Sequence, residues 1–457
     1  MLRRLKKTIS MINNDLWKRI GVTVFALAVF SLGTNIVVPG AVSITKDLGF
    51  LELLNVMTGG SLKNFSIFAL GVMPYITASI LTQILQMDIV PYFTELKEEG
   101  ASGRQKINKI NRYLGIIFAL LQGYVFSYAF LRNMGSLVVL KSALVLAGGT
   151  AFLLWLGDEI TKKGIGNGIS LFIMAGIIQG IPSIFVTAYK EFATRSSSTA
   201  LGLLALAGFT LIYLIIVIGV IYVQEAERRI PIQYSNHTAS SYRGEKSYLP
   251  VKLNSANVMP VIFASALIGM PSFVAEFLGK DSFSKFVENY ISYYSATGLI
   301  LYVVLIYAFG YIYTKMAMNA DEMAENLDKS NAYIPGIVPG EPTSKYLRNS
   351  IKNLTVVGSL SLIVLAVLPI LFTNISGMDR AVTVGGTGLL IVVGVALETY
   401  KQLESSIVSR NYTTTKRRRR WFEKYYIYRT SRCGKRYTKR FIKRKFRLCT
   451  YFNWRFA

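Results

Sequence analysis

The chain has 457 residues, is 52% hydrophobic and carries a formal net charge of +26. Its mean hydropathy is +0.40; a soluble domain with charge spread through it would not reach that value, and here the apolar residues come in blocks near the ~20 that cross a bilayer. No Ser/His/Asp set, HExxH, GxSxG or Walker A loop is present, so the sequence gives no reason to expect a catalytic residue, a cofactor or a metal site.

Residues 1–19 form a basic N-terminal segment without the apolar core and small-residue cleavage site of a signal peptide. Ten apolar blocks follow: Ile20–Val38, Ser66–Leu85, Tyr113–Leu131, Leu137–Leu156, Ile169–Ala188, Ala200–Val223, Val258–Leu278, Thr297–Tyr313, Leu354–Ile375 and Ala381–Leu397. The fold class expected is all-α: a polytopic membrane protein of ten transmembrane helices. Segments 1–19, 86–112, 224–257 and 314–353 each hold five or six Lys/Arg, and the alternate loops one or two. The bias toward positive charge on the inner side then places both termini in the cytoplasm.

The ten spans divide into a first half, 20–188, and a second half, 200–399. Pro74 in GVMPYI and Pro260 in NVMPVI interrupt spans 2 and 7, while Gly-rich stretches, 164–170 and 384–390, open spans 5 and 10. An odd number of spans per half makes the repeats inverted, and matched interruptions point to a central pathway. Span 2 also carries Thr77, Ser79, Thr82 and Gln83 with no charge before Asp88, so it should face protein or a water-filled cavity.

Aliphatic residues flank these interruptions: Val72 and Ile76 in span 2, Ile169 and Ile173 in span 5, Ile262 in span 7 and Ile391 in span 10. Two readings stand: ordinary helix-packing core, or convergence into a narrow apolar collar that excludes water and ions by dewetting. Between Pro39 and Ser66, the stretch LGFLELLNVMTGG is too apolar for a free loop. Leu51, Leu53, Leu54, Val56 and Met57 give about two helical turns ending at Gly59 and Gly60. It either folds back into the membrane body or lies on the surface as an amphipathic helix. Ionisable groups at mid-membrane are almost absent, which argues against an ion-coupled transporter. The single histidine, His237, sits in a polar loop and reads as solvated.

GVMPYITASIL followed by TQILQMDIVP resembles the second transmembrane segment of the SecY family, the pore subunit of the bacterial Sec protein-translocation channel. So do EEGASGRQKINKINRY (98–113), WLGDEITKKGIGNGIS (155–170), RRIPIQY (228–234), LPVKLNSANVMPVIFA (249–264), DEMAENLDKSNAYIPGIVPG (321–340) and LLIVVGVALETYKQLES (389–405). The resemblance, over roughly Ile20 to Tyr412, implies that the six aliphatics are the constriction around a threading chain. It makes the segment about 48–65, including the seven residues named above, the plug. It also makes the loops 224–257 and 314–353 a docking surface for ribosome or motor, with Arg228, Arg229, Tyr333, Pro335, Gly336 and Val338 on it. Unfolded preproteins bearing a signal sequence would cross the bacterial cytoplasmic membrane through the pore, and membrane segments would leave sideways into the lipids between spans 2–3 and 7–8. SecE-like and SecG-like subunits and the SecA motor are the partners implied. The alternative is an uncoupled transporter or channel for a small solute.

Three positions depart from the family pattern: Val338 stands where PGIRPG has arginine, Ser31 where the first span has arginine, and Asn257 where the seventh has glycine. Loss of the loop arginine weakens the expected motor coupling and raises the reading of an accessory paralogue. Residues 411–457 hold 17 Lys/Arg, one acid (Glu423) and both cysteines, Cys433 and Cys449. This tail reads either as an RNA-binding arm or as a frameshift artefact. Read one base later, codons for Phe422–Lys439 can spell LKNIIFIGLPGAGKGTQ, similar to the start of adenylate kinase, whose gene often follows that of the housekeeping channel.

Overall fold

The computed structural model describes residues 14–41, 55, 58–86, 90–131, 134–195, 199–234, 248–278, 281–292, 295–376 and 388–406. Residues 1–399 make one compact unit and residues 400–457 a second. Besides a short π-helix (Val287–Ile291), thirteen α-helices are described: α1 (Asn14–Gly33), α2 (Met73–Leu85), α3 (Pro91–Glu98), α4 (Ala101–Leu131), α5 (Ser136–Lys163), α6 (Gly168–Arg195), α7 (Thr199–Glu225), α8 (Met259–Leu278), α9 (Asp281–Phe286), α10 (Ala296–Ala317), α11 (Ala320–Lys329), α12 (Glu341–Ser376) and α13 (described over 388–406). Each of the ten apolar blocks carries one of them. Seven are long and apolar enough to cross a membrane; Met73–Leu85 and Met259–Pro271 are apolar but short.

The short ones follow from their sequences. Hydropathy makes 66–85 one block, yet residues 58–72 run as turns and the helix starts only at Met73. Pro74 occupies its first turn, where the missing N–H has no intrahelical partner to lose. Before it, the chain is pinned to the end of α1: Val38 N donates to Phe65 O at 3.0 Å and Ile67 N to Ile36 O at 2.9 Å.

In the first half, α1 packs on α5 and α6, α4 on α2 and α5, and α5 on α6. In the second, α10 packs on α8 and α12, and α12 on α7. The halves meet at α6 against α7, and at α8 against both α2 and α4. One large apolar cluster runs through the interior, including Phe30, Phe65, Phe126, Phe172, Phe263 and Tyr302. Lipid is as apolar as these side chains, so close van der Waals packing holds them together more than escape from water does.

The loops 224–257 and 314–353 differ from the all-helical expectation. Strands β1 (Glu227–Pro231) and β3 (Tyr248–Lys252) pair antiparallel, with Arg228 opposite Val251. Strands β2 (Gln233–Tyr234) and β4 (Ala332–Tyr333) join the first loop to the second. Ile230, Ile232, Val251, Ala320, Ala324, Leu327, Ala332, Ile334, Leu347 and Ile351 form a separate apolar core between them. Two stretches that read as independent polar loops are thus one small folded module, standing on the projecting first turns of α12.

Candidate functional site

Five of the six collar aliphatics lie at or just inside the start of a helix. Val72 is the residue before α2, and Ile76 lies one turn in, donating its N–H to Val72 O at 3.2 Å. Ile169 and Ile173 occupy the first two turns of α6. The turn before them is fixed by Thr161 Oγ1, which accepts from Gly168 N at 3.0 Å, and by Asn167 Oδ1, which accepts from Ile169 N at 3.1 Å. Gly168 must be glycine, because a Cβ there would lie 2.1 Å from Gly157 O of α5. Ile262 is in the first turn of α8, and Ile391 is in α13.

Val72, Ile76, Ile173, Ile262 and Ile391 are 2–5% exposed and belong to the large interior cluster; Ile169 is partly buried and packs against it. Beside them, Phe30, Thr58, Gly71, Val72, Met73, Phe172 and Ile173 line a cavity of about 10 Å³, at the lower limit for holding one water. Five of the constriction residues are thus buried members of one large cluster, and the sixth, Ile169, borders it.

Of the plug residues, Leu51, Leu53, Leu54, Val56 and Met57 lie outside the described residues. Gly59 and Gly60 are described, and the chain around them is buried: Asn55, Thr58, Ser61, Leu62 and Phe65 are at most 6% exposed. Asn55 organises it, its Oδ1 accepting from Lys63 N at 3.0 Å and its O from Gly60 N at 2.7 Å.

The docking residues all lie exposed on the two-loop module. Arg229 is engaged: its Nε donates to Glu227 Oε1 at 2.9 Å and its guanidinium sits 4.7 Å over the Tyr248 ring. Glu227 pushes the pKa of that guanidinium upward. Arg228 has no ion pair among the described residues. Tyr333 Oη donates to Gln233 Oε1 at 3.0 Å, across the two loops. Val338 is 69% exposed at the tip of the turn before α12, and its O accepts from Thr343 Oγ1.

Asn257 has φ +52°, in the left-handed region where its family position carries glycine and which Asn tolerates. Its O accepts from Asn254 Nδ2 at 2.8 Å, which fixes the turn that launches α8. The loop module's shared core is what sequence reasoning missed. Its visible signal was the alternation Ile230/Ile232 and Leu249/Val251, a strand period in segments read as polar loops.

The SecY family model matches residues 66–400. The chain belongs to the SecY family. The protein translocase subunit SecY of Staphylococcus carnosus (strain TM300) is 43% identical over 404 residues, covering 85% of this chain and 94% of that one. SecY of Bacillus subtilis (strain 168) is 42% identical over 423 residues, covering 89% and 98%. Among solved structures, one of a protein-conducting channel is similar at TM-score 0.64 and 21% identity, covering 86% of this chain and 93% of that one. Sec61 in a canine ribosome–channel complex from the endoplasmic reticulum is similar at 0.62 and 21%, with the same coverage. These place the chain in the SecY channel fold as a multi-pass membrane protein.

Proposed function

We infer that this chain is the channel-forming subunit of a Sec preprotein translocase, passing unfolded polypeptides across the bacterial cytoplasmic membrane and releasing membrane segments into it. The observation that carries the reading is the burial of Val72, Ile76, Ile173, Ile262 and Ile391 in one large interior cluster, with Ile169 packed against it, in a SecY-family chain. A collar of that kind is dry at rest and expels ions. A threading chain pushes the side chains apart without breaking any polar contact.

The plug is the segment about 48–65; of its described residues, Thr58 lines the same small cavity as Val72 and Ile173 of the collar. SecY's plug domain is reported, for a structure similar to this one at TM-score 0.63, to stabilise the closed state. The sideways exit lies where α8 meets α2 and α4, one of the faces at which the two halves touch. Both termini are cytoplasmic, so the two-loop module faces the cytoplasm, where ribosome and SecA-type motor would dock on Arg228, Arg229 and the Tyr333–Val338 turn. SecE-like and SecG-like subunits complete the assembly. No bond is made or broken by this chain; the energy comes from the docked machine.

Crosslinking tests this. Cys433 and Cys449 are replaced by Ser, a single Cys is placed at Ile76 or Ile173, and a secretory chain is stalled in transit. Crosslinks from both sites are expected. Uptake of small solutes with no crosslink from either site overturns the reading in favour of a solute channel.

A further inference from the structure

The π-helix (Val287–Ile291) is seated on α8 and on the first turn of α10. Ser292 N closes it by donating to Val287 O at 3.0 Å. Thr297, near the start of α10, donates its Oγ1 to Tyr290 O at 3.0 Å, and no Cβ would fit between Gly298 and Ser292 O. Val287 and Ser292 are buried, whereas Phe286 and Tyr290 are 50% and 56% exposed and lie against each other with ring centroids 5.1 Å apart. This pair continues one side of α10. Thr297, Ile300, Leu301, Val304, Tyr307 and Tyr311 recur there at helical spacing and are all exposed, while Tyr302, Ile306 and Phe309 on the other side are buried. On a helix long and apolar enough to cross a membrane, such a stripe meets lipid. The level of the pair follows from length. The 22 residues of α10 reach about 33 Å, close to the hydrocarbon thickness of about 30 Å. Its last turn carries Lys315 and leads into the two-loop module, so that end stands at one membrane surface and Thr297 at the other.

We propose that Phe286 and Tyr290 are an interfacial anchor: a stacked aromatic pair seated in the headgroup–acyl boundary of the leaflet opposite the two-loop module, where it fixes the depth of that end of α10. Aromatic rings with one apolar body and one polar tip favour this level. The Tyr290 hydroxyl faces the headgroups, and the two rings cover acyl carbons that the stripe of α10 meets lower down. Lys285, Glu288 and Asn289, exposed on the same short segment, keep it from sinking into hydrocarbon, where a charge is costly. The occupant is lipid because the pair extends a lipid-facing stripe without a break.

Spin labelling tests this. Cys433 and Cys449 are replaced by Ser, and one nitroxide is attached at Phe286→Cys or Tyr290→Cys in the full chain, assembled in vesicles of phosphatidylethanolamine and phosphatidylglycerol. Val304→Cys serves as the hydrocarbon reference and Val338→Cys as the aqueous one. Power saturation with oxygen, which concentrates in lipid, and with a nickel chelate, which stays in water, reads the depth. The oxygen-to-nickel ratio at 286 and 290 should fall between the two references, at a depth of about 5–10 Å. In Phe286→Ser/Tyr290→Ser, a nitroxide at Ile300→Cys should shift toward the aqueous value. A ratio at 286 and 290 equal to that at 338 puts the pair in water and overturns the anchor. Shielding of both sites from both reagents marks a protein subunit over the pair and also overturns it, as does an unmoved label at 300.

Discussion

Leu347→Ala asks whether the two polar loops are one module. Leu347 is fully buried on α12, in a core shared with Ile230 and Val251 of β1 and β3 and with Ala324 and Leu327 of α11. This core sits outside the lipid-facing spans, so water is the reference and each buried CH₂ is worth ~0.8 kcal/mol. Removing three carbons and leaving a hole in a core of ten buried residues costs about 3 kcal/mol. If the core is shared, that loss reaches the partner loop although no residue there is changed. Local opening of the β1–β3 ribbon should then rise roughly 150-fold, at ~1.4 kcal/mol per factor of ten. Hydrogen exchange followed by mass spectrometry on peptides covering 227–252 reads this directly. Exchange that quickens only in 341–354, with 227–252 unchanged, refutes the shared core.

Asn257→Gly should leave stability unchanged, whereas Asn257→Ala, forced into the left-handed region, should cost about 1–2 kcal/mol; thermal unfolding of the purified protein distinguishes the two. Arg228→Ala should weaken ribosome binding more than Arg229→Ala, because Arg229 is occupied by Glu227 and Tyr248, and should flatten the salt dependence by about one unit of slope; an equal or larger loss at Arg229 contradicts this. Asp321 lies in the first turn of α11, where the Ser344 hydroxyl first, and then Arg348 at 2.9 Å, hold its carboxyl below the usual range. A depressed folded pKa stabilises the module above the unfolded value, about 3.9, and that contribution is lost as pH falls through the folded value. Asp321→Asn should therefore flatten the acid limb of pepsin sensitivity in 314–353 between pH 5 and 2; identical profiles for both proteins would remove Asp321 from the account.

The spans were legible because lipid imposes a length and a hydropathy that no soluble helix needs, and every apolar block carries a helix. Conformation inside a block was less so. Ile67 and Phe68 score as membrane residues whether helical or in turns, so only Pro74 marked where α2 begins. The aliphatics beside the Pro and Gly interruptions were readable as apolar positions, and five of them, Val72, Ile76, Ile173, Ile262 and Ile391, are buried in one large cluster. The pairing of Gln233–Tyr234 with Ala332–Tyr333 was not readable. It joins two-residue strands about a hundred positions apart, with no periodicity long enough to register. Asn257 explains itself only with the backbone in view: its departure from glycine keeps the left-handed turn.

The shortness of α2 has a consequence for how the molecule is built. Thirteen helical residues reach about 20 Å, against a hydrocarbon layer of about 30 Å. The remainder of that crossing is irregular backbone whose amides would be bare in oil. Phe65 O and Ile67 N bond the stretch after α1 and other groups close local turns, while Phe65 stacks on Phe126 of α4 and Phe68 on Phe152 of α5. During synthesis this crossing therefore has no stable resting place until α4 and α5 have been made. The newborn chain must be sheltered from lipid for at least the eighty or so residues between Ser66 and the middle of α5, and released as a packet of helices instead of one at a time.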